Sequence, residues 1–140
     1  MGRQVTVKVT GLQIGTTNEM ITTQATGTMI YKAPYYYVAY EEQIDPESHQ
    51  KSKTTLRFSD TQLRVTRKGE VVSTLEFGHE KVHNSLYMTA FGNFEVLLIT
   101  DELRIEWKEK SAKISADYRI GLNTMPPTKG RLEVLITENI

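Results

Sequence analysis

The stretch LRIEWKEKSAKISADYRI, residues 103–120, alternates apolar and polar side chains on both sides of the pair Glu109-Lys110. The apolar positions of its two halves are Leu103, Ile105 and Trp107, then Ile114, Ala116 and Tyr118. Neighbouring side chains of a strand point to opposite faces, so this spacing predicts two strands joined by a tight turn. One face of the hairpin is apolar and the other carries ionised groups, which excludes a strand facing lipid at mid-membrane.

The same period-two pattern extends outward over most of the chain, and no window shows sustained helical spacing. The alternation predicts roughly 60% strand, far above the soluble average of about 20–25%, and only a sandwich or a barrel accommodates that content. Short turns join successive strands in the second half, which favours a meander. Closing a meander removes its exposed edges. We therefore expect an all-β fold over residues 1–140, a single domain forming a closed or nearly closed antiparallel barrel.

Three local features refine this prediction. The parity of the apolar residues changes at Gly11, which is typical of a β-bulge. Asp101-Glu102 separates two apolar runs and predicts a turn, and Lys68-Gly69 predicts a hairpin. Both parities are apolar from Phe94 to Ile99, so the sequence does not decide which face of this run is buried.

Composition narrows the classes of partner. Seventeen basic and seventeen acidic residues cancel, without the positive excess of a nucleic-acid binder. The longest aliphatic run, residues 96–99, is too short to cross a membrane as a helix. The absence of cysteine fits a reducing cytoplasm. We expect no nucleic-acid partner, no membrane partner, and a monomer or homodimer.

Three short motifs lie in order along the predicted strands: Arg67-Lys68-Gly69, residues 87–92 (YMTAFG) and residues 114–118 (ISADY). With them, and with Tyr40-Glu41-Glu42, the chain resembles the YwiB-like family of small bacterial proteins of unknown function. The resemblance extends from about Val5 to Ile136, with Ala90 where the family pattern has proline. It implies a lipocalin-like (calycin) barrel in a bacterial cytoplasm, and it implies no reaction and no ligand.

The sequence His79-Glu80-Lys81-Val82-His83 matches the H-E-x-x-H motif of zinc proteases. That chemistry needs both histidines on one face of a helix, together with a third ligand. Here the motif occupies a short connection between two predicted strands, and no third ligand is indicated. We interpret it as a solvated loop and expect no metal, no cofactor and no catalytic constellation.

Tyrosines are the remaining candidates for function. A barrel of about eight strands is either filled by side chains or holds one small ligand. Tyrosine supplies an apolar wall and a hydroxyl group, which suits an amphipathic ligand. The candidate cavity residues are Tyr35, Tyr37, Arg67, Tyr87, Thr89 and Tyr118.

Three functional hypotheses remain open at this point. The first is non-enzymatic binding of a small amphipathic ligand in the barrel interior. The second is a filled barrel that acts as a protein-interaction or assembly module. The third is an enzyme that recruits Tyr87, Arg67 and Glu41 in the cavity.

Overall fold

Antiparallel strands follow one another around the molecule in chain order. A computed structural model describes residues 2–14, 20–42, 52–69, 72–78, 82–89, 92–122 and 126–139. These residues contain ten strands: β1 (Arg3–Ile14), β2 (Met20–Lys32), β3 (Tyr35–Glu42), β4 (Ser52–Phe58), β5 (Gln62–Lys68), β6 (Ser73–Gly78), β7 (Val82–Thr89), β8 (Gly92–Lys108), β9 (Ser111–Leu122) and β10 (Thr128–Glu138). The all-β prediction is confirmed.

The strands form one sheet in the order β6-β5-β4-β3-β2-β1-β10-β9-β8-β7. Its two outer strands, β6 and β7, come together and almost close the barrel. Val72 and Met88 exchange two backbone hydrogen bonds of 2.9 Å across this seam. The amide of Gly78 donates to the hydroxyl of Thr100 at 3.2 Å. The result is the predicted nearly closed meander barrel, with one unsealed seam between β6 and β7.

Alternation along each strand separates the core from the solvent. The buried apolar side chains come from both halves of the sheet and include Val5, Val7, Val38, Leu56, Phe58, Leu63, Ile114, Val134 and Ile136. On the opposite face Arg104, Glu106 and Lys113 are exposed. Burial of the apolar rows supplies the main favourable term in folding, while the charged rows keep their hydration.

The prediction of a turn at Asp101-Glu102 is wrong, because β8 continues through this pair. The pairing of β8 with β9 shifts between Thr100 and Glu102, so Asp101 is the extra residue of a β-bulge. Its exposed carboxylate accepts hydrogen bonds of 2.8–3.1 Å from the guanidinium of Arg119. The hydrogen bonds and charge of Asp101 raise the pKa of Arg119.

The bulge also resolves the ambiguous run before it. Val96 and Leu98 are buried, and so is Leu103 beyond the bulge. One extra residue therefore changes the inward parity from even to odd numbers within a single strand.

No bulge lies at Gly11, where the sequence predicted one. Gly11 pairs with Leu132 on one side and Ile21 on the other, in registers that continue without a shift. The hairpin at Lys68-Gly69 is confirmed, since β5 pairs with β6 and Gly69 has φ of 145°. Glycine suits that turn because it lacks the Cβ that strains a positive φ.

All regular structure in the described residues is strand, so they include no helix of the length and apolarity needed to cross a membrane.

Candidate functional site

The barrel interior holds a cavity of about 120 Å³. Nine apolar side chains and three side chains with polar groups form its wall: Val9, Leu56, Val65, Leu75, Phe77, Leu98, Ile120, Leu132 and Val134, with Tyr40, Arg67 and Tyr118. A mostly apolar wall with a few polar groups is the usual composition of a ligand site. The cavity is smaller than the roughly 300–1,000 Å³ of sites for drug-sized ligands.

Arg67 brings a permanent positive charge to this wall. It follows Leu63 and Val65 at intervals of two along β5, and this alternation turns it inward near the end of the strand. Its neighbours in the sheet are Thr54 on β4 and Ser73 on β6, both buried. A polar layer therefore lies next to the apolar part of the cavity, at the level of Arg67.

Tyr118 contributes a phenol group on the opposite wall. Its ring packs edge-on against Phe77, with 5.5 Å between the ring centroids. It also lies over Gly130, its partner on β10, so close that an added Cβ would be 2.6 Å from a ring carbon. Burial raises the pKa of Tyr118 above its ordinary value of 10.0. At neutral pH the phenol therefore keeps its proton and can donate a hydrogen bond.

The structure brings together only part of the predicted set. Arg67 and Tyr118 line the cavity, as does Tyr40, which the sequence analysis left out of the set. Tyr35 and Tyr37 lie on the outer face of β3 and are not among the lining residues described.

The two outer tyrosines have their own surroundings. The Tyr35 ring lies 4.4 Å from the guanidinium carbon of Arg57, and its hydroxyl donates to Gln62 at 3.4 Å. The ring centroids of Tyr35 and Tyr37 are 6.5 Å apart. The sequence held a signal for the inward face of β3, because the apolar Val38 shares its parity with Tyr40. In the structure Val38 is fully buried.

The remaining candidates lie away from this wall. Tyr87 is half-buried on β7, opposite Phe94, and is not among the described lining residues. Thr89 ends β7, and its side chain lies outside the described part of the structure. Glu41 is exposed on the outer face and pairs with Lys53, so it does not point into the cavity with Arg67.

The H-E-x-x-H segment does not form one continuous helix, since Val82 and His83 begin strand β7. Residues 79–81 lie outside the described part of the chain. The His83 ring instead reaches across the seam to β6. Its Nε2 is 3.3 Å from the carbonyl oxygen of Thr74, and its Nδ1 is 3.5 Å from the carboxylate of Glu76.

A solved structure with a similar barrel is known. The crystal structure of the ywiB protein from Bacillus subtilis matches with a TM-score of 0.85 and 21% identity, over 99% of this chain and 94% of that chain. At this level of identity the similarity establishes the fold alone. A search of the curated proteins found no match. A family model described as Domain of unknown function (DUF1934) matches residues 5–134. The chain therefore belongs to the DUF1934 family.

Proposed function

We propose that the barrel binds a small amphipathic anion without chemical conversion, holding the apolar body in the cavity and the acidic group near Arg67. The observation that supports this proposal is an apolar cavity whose wall includes one guanidinium and two tyrosines. We also propose that this binding takes place in the bacterial cytoplasm, because a chain without cysteine forms no disulfide and so does not depend on an oxidising compartment.

The volume limits the size of the ligand. Apolar cavities of about 150 Å³ hold a benzene molecule. The cavity of about 120 Å³ is slightly smaller, so it suits a short branched chain, or a ring after a small shift of its wall, rather than a long lipid tail. Larger ligands would need a shift in the surrounding side chains.

The polar groups select the head of the ligand. Guanidinium binds carboxylate through paired, charge-assisted hydrogen bonds, and a neutral phenol adds a donor. Arg67 and Tyr118 both favour a ligand whose head accepts hydrogen bonds, and the charge of Arg67 disfavours a cationic ligand. An organic carboxylate satisfies these requirements.

Benzoate is the direct probe, with benzyl alcohol as its neutral counterpart and benzylamine as its cationic counterpart. We expect calorimetry to rank their affinities in that order. Arg67→Met removes a hydrogen-bonded charge, an interaction of about 1.5–3 kcal/mol, so benzoate affinity should fall at least about tenfold. Affinity for benzyl alcohol should change little.

Lys68→Met is the matched control, because it removes one positive charge from the next, exposed position. It should leave benzoate affinity unchanged. Val65→Phe places a ring in the cavity and should abolish binding of both benzoate and benzyl alcohol. Equal losses in the Arg67 and Lys68 variants would contradict the proposal. Undetectable binding of all three probes to the native protein would instead support a filled barrel.

A further inference from the structure

A second concave site lies at the other end of the barrel. It is a hollow of about 640 Å³, which we call the aromatic hollow, and its described lining is Tyr31, Pro34, Tyr36, Ser59, Asp60, Thr61 and Trp107. Asp60 and Thr61 immediately precede β5, whereas Arg67 lies near the end of that strand. The aromatic hollow is therefore separate from the interior cavity, and its role does not depend on the function proposed above.

The rings of the aromatic hollow pack on a buried aromatic side chain and on one another. Phe58 is fully buried, and the Tyr36 ring stacks on it with centroids 5.4 Å apart. The Tyr36 ring in turn contacts Tyr31 at 4.5 Å and Trp107 at 4.8 Å. Tyr31 is 55% and Trp107 is 44% exposed, so large aromatic surfaces face solvent on a supported base.

The described lining of the aromatic hollow carries negative charge only. Asp60 is the single residue of its described lining that is ionised at neutral pH. The Trp107 indole donates to one carboxylate oxygen of Asp60 at 3.3 Å. A carboxylate has about four acceptor positions, so this contact leaves it able to bind a further donor or cation. By contrast, the adjoining hollow beyond Trp107 includes charges of both signs: Arg3, Lys108 and Lys110 with Glu109 and Glu138.

We propose that the aromatic hollow binds the trimethylammonium group of a small molecule. Aromatic faces carry negative quadrupole potential, and quaternary ammonium groups bind to them within about 6 Å of a ring centroid. The carboxylate of Asp60 adds a full negative charge at the edge of the same rings. A quaternary ammonium also gives up its hydration more easily than a primary one, because it has no N–H donors.

Choline and 3,3-dimethyl-1-butanol form the decisive pair of probes, because they share a shape and differ in charge. Trp107 is the sole tryptophan of the chain, so its fluorescence and its indole N–H resonance report on the aromatic hollow and on the adjoining hollow that shares this ring. At matched ionic strength we expect choline to produce a saturable change. The neutral isostere should bind at least about fivefold more weakly. Equal affinity of the two probes, or no saturable change with choline, would overturn the proposal.

Variants identify the groups responsible. Asp60→Asn keeps an acceptor for the Trp107 indole while removing the charge, and it should weaken choline binding without affecting the isostere. Glu106→Gln removes the same charge from the exposed residue next to Trp107, and it should leave choline affinity unchanged. Tyr31→Leu removes an exposed ring and should weaken choline as well. Unchanged choline affinity in both the Asp60 and Tyr31 variants would refute a cation site. Stronger binding of glucose, which carries no charge, than of choline would refute it as well.

Discussion

Gly130 allows the Tyr118 ring to occupy the wall of the cavity. The two residues are partners on β10 and β9, and the ring atoms fill the space where a side chain at residue 130 would project. An aromatic ring laid over a strand glycine covers exposed backbone and compensates for the missing side chain. Residue 130 therefore helps to set the position of the phenol group.

Gly130→Ala tests this arrangement. The added methyl would lie within 3 Å of two ring carbons and the hydroxyl oxygen of Tyr118, so the ring must move. We expect a loss of about 1–3 kcal/mol in the free energy of unfolding, measured with urea. Combining Gly130→Ala with Tyr118→Leu should cost less than the sum of the two single changes, because the leucine makes room.

Gly11→Ala is the control, since a Cβ at this position meets nothing within 4 Å. Its effect should stay within about 0.5 kcal/mol. Equal losses for the two alanine variants would contradict the steric role given to Gly130.

Tyrosine positions show the limit of prediction at this scale. On β3 both parities carry tyrosine, so aromatic content does not distinguish the faces, and Tyr35 and Tyr37 were assigned to the wrong one. The phenol of Tyr35 stays outside because Arg57 and Gln62 interact with it there. Arg67 was placed correctly, because Leu63 and Val65 establish the parity of a strand whose other face is polar.

Among the elements, β8 depends most on one residue. It pairs with both β7 and β9, and the bulge at Asp101 keeps its apolar side chains inward on both sides. The sequence shows the change of parity but not its cause. An acidic pair between two apolar runs is equally typical of a turn and of a bulge, and pairing with a neighbouring strand decides between them.

Insertion of one alanine directly after Asp101 should prevent folding. With a second extra residue Leu103, Ile105 and Trp107 would turn outward, exposing one apolar row and burying a charged one. We expect no cooperative urea transition and no near-ultraviolet dichroism from the single tryptophan.

Asp101→Ala keeps the residue count and removes only an exposed ion pair with Arg119. This variant should remain folded, with a transition close to that of the native protein. A folded insertion variant would show that β8 can shift its register, and it would contradict the role given to the bulge.

Across the whole molecule, the seam between β6 and β7 is the weak line of the barrel. Val72 and Met88 supply the described backbone hydrogen bonds that join its two sides, and His83 bridges it with a side chain. Elsewhere neighbouring strands pair along continuous registers, apart from the bulge at Asp101 between β8 and β9. The meander order was predictable because short turns leave few alternatives. The seam was not, because Val82 and His83, which begin β7, were interpreted as part of a solvated loop.

Hydrogen exchange should locate this weak line. We expect amides of β6 and β7 to exchange faster than those of β1 and β10, which are paired on both sides. His83→Ala should accelerate exchange at the seam further. Asn84→Ala changes the adjacent exposed residue and should not. Equal protection of all four strands would contradict an unsealed seam.

The first and last strands described lie side by side in the middle of the sheet order, far from the seam. Thr6 and Asn139 share a hydrogen bond of 2.7 Å although 133 positions separate them in sequence. On the ribosome, β1 is therefore made long before its partner exists, and it waits with an open edge through the synthesis of eight further strands. The sheet is completed only after residue 138 leaves the exit tunnel, so the pairing of β1 with β10 is a late step in the folding of this barrel.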